Sequence, residues 1–184
     1  MKKLFAVLLV CMLALTGAAL AETEESEATP YVSGLGYTIG LPEGWMVLDQ
    51  AAYDASVDEG LAGVLAEAGI TAETLPTLLE EGVECFISED SSTGFALVRK
   101  LELVTDVEAE HARLRDAFEA AGSNDFASGE IPIDANSYRI YEGTLPGSWK
   151  TVLAIDTDDA TYQLEFTGVE AAVLIDMVGP ATFG

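Results

Sequence analysis

The sequence predicts an α+β domain: one central, mainly antiparallel sheet with helices packed against it. Three observations carry that expectation. Runs of alternating apolar residues come in pairs separated by short turns rich in Pro, Gly or Asp, and strands joined that tightly must pair antiparallel. Between them lie stretches whose apolar residues recur every three or four positions, the spacing of a helix with one buried face. From Leu35 to Phe183 the apolar residues are spread evenly, with no linker composition and no internal repeat, so residues 34–184 make a single domain.

The chain opens on a secretory signal. Lys2 and Lys3 precede an uncharged apolar run from Leu4 to Leu15, and Ala19-Leu20-Ala21 supplies the small residues that signal peptidase requires, so cleavage falls between Ala21 and Glu22. Retention as a membrane anchor is disfavoured by Gly17-Ala18-Ala19 and the acids that follow, and lipidation at Cys11 by its place inside the apolar run. The mature protein is therefore expected to be secreted, or to work outside the cytoplasm, with no membrane span. Residues 22–33, with Glu22, Glu24, Glu25, Glu27 and Pro30, read as an acidic disordered leader.

Tyr37–Ile39 and Trp45–Leu48 read as two short strands around the turn Leu41-Pro42-Glu43-Gly44. A helix opened by Asp49 follows, with Tyr53, Val57, Leu61, Val64 and Ala68 on one stripe; Gly60 and Gly63 weaken its middle and Gly69 stops it. A shorter helix spans Thr74 to Glu81, with Pro76 in its first turn and Gly82 beyond its end. Val83–Ser88 and Phe95–Leu103 are strands joined through Glu89–Gly94; in the second, Arg99 interrupts a face otherwise made of Phe95, Leu97, Leu101 and Leu103. Thr105-Asp106-Val107-Glu108 reads as a capping box opening a helix whose stripe is Val107, His111, Leu114, Phe118 and Ala121, with Arg115 and Glu119 one turn apart and Gly122 as terminator. Ala127–Ile133, Ser137–Leu145, Trp149–Ile155 and Tyr162–Phe166 form a meander turned by Pro146-Gly147 and by Asp156-Thr157-Asp158-Asp159, and Val169–Met177 closes the domain as a helix before Pro180.

The segment Tyr37-Thr38-Ile39-Gly40-Leu41-Pro42-Glu43-Gly44-Trp45 resembles the opening signature of the PsbP/Mog1-like superfamily, and the small secreted bacterial proteins of that group are the nearest in style. The similarity runs through the central capped helix, the Tyr162–Thr167 strand and the close at Ala181-Thr182-Phe183. It implies an α/β/α sandwich around a twisted antiparallel sheet. It transfers no functional residue, because the superfamily ranges from photosystem accessory subunits to a nuclear-transport regulator, none typically an enzyme; Pro42 and Trp45 are read as fold determinants.

Charge bounds the partners. The chain carries 32 acidic and 8 basic residues, net −24, and loss of Lys2 and Lys3 with the signal takes this to −26. Such a body repels nucleic acid and anionic membrane surfaces and attracts cations and basic partners. The mature chain keeps one cysteine, Cys85, whose alternation with Val83 and Ile87 makes it a core side chain. Neither a glycine-rich phosphate loop nor a G-x-S-x-G elbow occurs. The single histidine, His111, lies on the stripe of its helix and reads as a packed boundary residue. Asp156, Asp158 and Asp159 are the one local calcium candidate, alternate carboxylates on a tight turn, although the glycine and distal glutamate of an EF-hand are missing. Tyr138, Tyr141 and Trp149 read either as a binding surface or as core, with core favoured for at least two. The expected function is that of a secreted, acidic, non-catalytic module, monomeric, without cofactor, that binds a protein or an envelope component. A small extracellular hydrolase using carboxylates or His111 is the alternative. A concave pocket with converging polar groups separates the two readings.

Overall fold

Ten strands and four helices succeed one another in the described residues of the computed structural model, which are 28–58, 65, 70–88 and 94–184. The signal peptide, its cleavage point at Ala21–Glu22, the leader to residue 27, the helical stretch with Leu61, Val64 and Ala68, its stop at Gly69 and the turn at 89–93 lie outside them. The strands are β1 (Thr29–Val32), β2 (Tyr37–Leu41), β3 (Trp45–Val47), β4 (Val83–Ser88), β5 (Phe95–Glu102), β6 (Ala127–Ile133), β7 (Asn136–Leu145), β8 (Ser148–Asp156), β9 (Ala160–Thr167) and β10 (Thr182–Phe183). The helices are α1 (Gln50–Asp58), α2 (Thr74–Glu80), α3 (Val107–Ala120) and α4 (Ala171–Val178).

Seven strands form one sheet in the order β3-β4-β5-β9-β8-β7-β6, every neighbouring pair antiparallel, and β1-β2-β10 form a second, small sheet. The α+β class and the large antiparallel sheet are as the turns predict. At the β7–β8 hairpin, Pro146-Gly147 sits between the paired Leu145 and Ser148, and Gly147 takes φ +80°, which only glycine adopts cheaply.

Alternation along the strands sorts the side chains into cores on the two faces of this sheet. Phe86, Val98, Tyr138, Leu153, Tyr162, Leu164 and Phe166 pack on one side with Tyr37 and Ile39 of β2 and with Leu174, Met177 and Val178 of α4. On the other side Val83, Cys85, Ile87 and Leu97 meet Tyr53 of α1 and Leu75 of α2. Farther along the same face, Leu114 and Phe118 of α3 cover Tyr141, Val152 and Ala154. Gly143 lets the helix come that close: a Cβ there would stand 2.7 Å from a ring carbon of Phe118.

Four local expectations change. The strands on either side of Pro42 do not pair with each other: β2 joins β1 and β10, while β3 pairs with β4 as an edge of the large sheet. The leader ends earlier than its composition predicts, because Thr29–Val32 pairs with β2 in spite of Pro30, and the Tyr31 and Ser33 hydroxyls donate to Glu84. Asp106, not Thr105, caps α3: its Oδ1 accepts from the Ala109 amide at 2.9 Å while its backbone is still non-helical. The buried stripe of α3 is Glu110, Leu114 and Phe118; Val107 is 44% exposed and Ala121 is also exposed. A charged residue replaces Val107 on the inner face because Arg139 waits there to neutralise it.

Candidate functional site

Strand β9 lies in the middle of the large sheet, so both of its faces are covered. Tyr162, Leu164 and Phe166 point into the main core, and the alternate residues Gln163 and Glu165 therefore face the side where α3 lies. A carboxylate buried there needs charge partners. Arg99 of β5 and Lys150 of β8 supply them: Arg99 Nη2 is 3.0 Å from Glu165 Oε1, and Lys150 Nζ is 2.5 Å from Oε2. Gln163 Nε2 donates to Glu165 Oε1 at 2.9 Å, and Gln163 Oε1 accepts from Arg113 of α3 at 3.3 Å. Burial pushes the Glu165 carboxyl up, but the Lys150 and Arg99 charges outweigh it, and it ends below the usual carboxylate range.

Above this polar floor the surface is concave. One hollow of about 450 Å³, reaching Arg99, Leu101, Val104 and Asp106, and one of about 310 Å³, reaching Phe95, Leu114, Phe118 and Lys150, share Arg113 and Gln163 and so form one groove beside α3. Three of the six basic residues that follow Ala21 line it: Arg99, Arg113 and Lys150. No sequence motif marks them. The signal that was legible is Arg99 on an otherwise apolar strand face, which requires a carboxylate on a neighbouring strand.

Stability should report this charge arrangement. Glu165 has a lower pKa folded than unfolded, so it stabilises the fold above its unfolded value, and that contribution disappears as pH falls through the folded value. The stability difference between wild type and Glu165→Gln should thus be largest at neutral pH and shrink below about pH 4. Urea unfolding of both proteins from pH 7 to pH 2 checks it; a difference that stays constant would mean that the carboxylate charge is not what Arg99 and Lys150 recognise.

The predicted site residues are elsewhere. His111 is half-buried at the edge of α3, its ring 5.3 Å from that of Phe126 and 6.3 Å from that of Tyr141. Burial pushes the Asp156 carboxyl up, but the Arg139 guanidinium that holds it and the Thr161 hydroxyl that donates to it at 2.6 Å outweigh burial, and it ends below the usual range. Asp159 accepts the Thr157 hydroxyl at 3.2 Å and lies 3.8 Å from Lys100, while Asp158 is exposed. Among the described residues no three His, Cys, Asp or Glu side chains gather as a metal group would require. Cys85 is buried in the core, its thiol pushed up to about 11 chiefly by burial. Tyr138 and Tyr141 are core residues, and Trp149, partly covered, donates its indole N–H to the Val169 carbonyl at 3.1 Å. No helix among the described residues is long and apolar enough to cross a membrane.

A large antiparallel sheet with a small second sheet on one face and a cation-lined groove on the other defines an α+β module. Its fold is PsbP-like: the chain is similar over 91% of its length to the whole (100%) of the solution structure of cyanobacterial PsbP (CyanoP) from Synechocystis sp. PCC 6803, with a TM-score of 0.52 and 11% identity. A crystal structure from Bacteroides thetaiotaomicron VPI-5482 aligns with 86% of this chain at a TM-score of 0.49 and 12% identity; the chain covers 49% of it, about half its length. No protein-family model matches the sequence, and no curated protein matches it.

Proposed function

We propose that this chain is an extracytoplasmic, non-catalytic binding module, cleaved after Ala21 and monomeric, with the layered α/β/α form of its fold and with the groove beside α3 as its contact surface. The observation that carries the reading is the gathering of Arg99, Arg113 and Lys150 around Gln163 and Glu165, in a chain whose surface is otherwise overwhelmingly acidic. A binding role is favoured over hydrolysis by the state of the polar groups: His111 is packed among aromatic rings, and Glu165 is tied as a paired carboxylate with its basicity lowered. A general base needs the opposite tuning, a carboxyl raised toward the working pH.

Placing a photo-crosslinking residue at Ala109 or Ala117, both of which line the groove, tests the reading in the producing cell. Adducts are expected from these positions and not from exposed Ser128 on β6. Equal adducts at Ser128, or none at the groove, would move the contact surface elsewhere.

The acidic surface acts on cations diffusely in this reading, supported by the engagement of Asp156 with Arg139 and Thr161. Calcium, magnesium and sodium chlorides at equal ionic strength should then raise the melting temperature equally, through screening over a Debye length of about 10 Å at 0.1 M. A rise specific to calcium and abolished by Asp158→Asn would establish a ligand loop at 156–159.

A further inference from the structure

We propose that the groove beside α3 binds a monocarboxylate with an apolar body, either a free organic acid or the C-terminal end of an apolar peptide; this deepens the binding-module reading and rests on it. The argument begins from what remains after the internal pairing. Glu165 neutralises one of its two cationic partners, so the floor keeps one excess positive charge between Arg99 and Lys150. Arg113 adds a second, because among the described residues its guanidinium donates to the neutral oxygen of Gln163 and pairs with no carboxylate. Arg113 is exposed and lines both hollows, and a guanidinium has five N–H donors in a fixed fork that matches a carboxylate. Lys150 lines the smaller hollow and is 28% exposed, with protons beyond the one directed at Glu165.

The walls define the rest of the ligand. In the smaller hollow the accessible apolar surface beside Arg113 and Lys150 is that of Leu145 and Ala117, Phe95, Leu114 and Phe118 being buried, and in the larger one Leu101 and Val104 supply it beside Arg99 and Arg113. A ligand that is anionic at one end only satisfies both features: its carboxylate meets Arg113 and Lys150, and its carbon body displaces water from Leu101, Val104 and Leu145. A multiply charged anion or a polyanion is disfavoured, because the carboxylates of Asp106 and Glu110 line the larger hollow and the net charge of the molecule repels it.

The full mature chain is titrated with octanoate and with octanamide, and with an N-acetylated apolar tripeptide as free acid and as C-terminal amide, following backbone amide NMR shifts. Saturable shifts at Arg113, Lys150 and Thr167 with either carboxylate, and none with its amide, are expected, and Arg113→Gln should weaken binding roughly tenfold, about the worth of one charge-assisted hydrogen bond. Arg113 is exposed on α3, so that variant should keep the fold, which its spectrum verifies. Preference between acid and peptide identifies the source. Equal binding of the amides, or unchanged affinity in Arg113→Gln, would overturn the carboxylate assignment. No binding of any probe while the groove still gives crosslinks would overturn the ligand class and leave the binding surface standing; absence of both would remove the two together.

Discussion

Trp45→Ala should destabilise the protein by about 3–5 kcal/mol, the range for truncating a large aromatic side chain in a core. Trp45 is 8% exposed and belongs to the main core with Phe86, Ile39 and Val169, although β3, which carries it, is only three residues long and stands at the edge of the sheet. The indole thus contributes what the short strand cannot: its pairing spans only Trp45–Ser88 to Val47–Phe86. The void left by alanine faces packed side chains on a covered sheet face and cannot close by a shift of solvent-exposed groups. Urea unfolding should show a lower midpoint with an unchanged slope. A loss under about 1 kcal/mol would mean that the β3 edge relaxes freely, and that Trp45 does not anchor the main core.

Glu110→Ala should cost about 3 kcal/mol, as breaking one partner out of a buried ion pair does. The Glu110 side chain is 2% exposed, and its Oε2 accepts both from Arg139 Nε at 2.8 Å and from the Tyr141 hydroxyl at 2.7 Å. Burial first, and then the bond to Glu110, push the Tyr141 hydroxyl up to about 12, so it stays a donor at every physiological pH. Removing the carboxylate leaves Arg139, 14% exposed, with Asp156 alone and the Tyr141 hydroxyl without its acceptor. The double variant Glu110→Ala with Arg139→Met should recover part of the loss, because no buried charge is then left unpaired. Additive losses in that cycle would show that the two residues are not energetically coupled and that α3 is held by Leu114 and Phe118 alone.

These two residues mark the difference between what chain order tells and what packing decides. Pairing between neighbours in the chain was not legible around Pro42, where β2 and β3 join different sheets. It was legible in the meander, where Pro146-Gly147 and the Asp156–Asp159 turn set β7-β8-β9 and the alternation of Tyr162, Leu164 and Phe166 set its inner face. The burial of Trp45 and Cys85 was legible for the same reason, since each sits in a short apolar run bounded by turns. Periodicity also located the long helix and placed Leu114 and Phe118 on its inner side, but did not show the residue that its first turn buries. That residue is Glu110, whose burial depends on Arg139, 29 residues away in the chain and on another element.

The groove is of the second kind throughout. Arg99, Arg113, Lys150, Gln163 and Glu165 come from β5, α3, β8 and β9, and they meet because β9 inserts between β5 and β8 instead of ending the meander at an edge. An edge strand would have left Gln163 and Glu165 in water, where their polarity needs no partner and signals nothing. Sequence alone determined the class of fold, the local turns and the identity of most core residues, because those depend on spacings of two to four residues. The tertiary structure alone decided that Glu165 is buried and that three of the scarce cations gather around it, because the energy of a buried charge is set by neighbours that only the sheet order brings together.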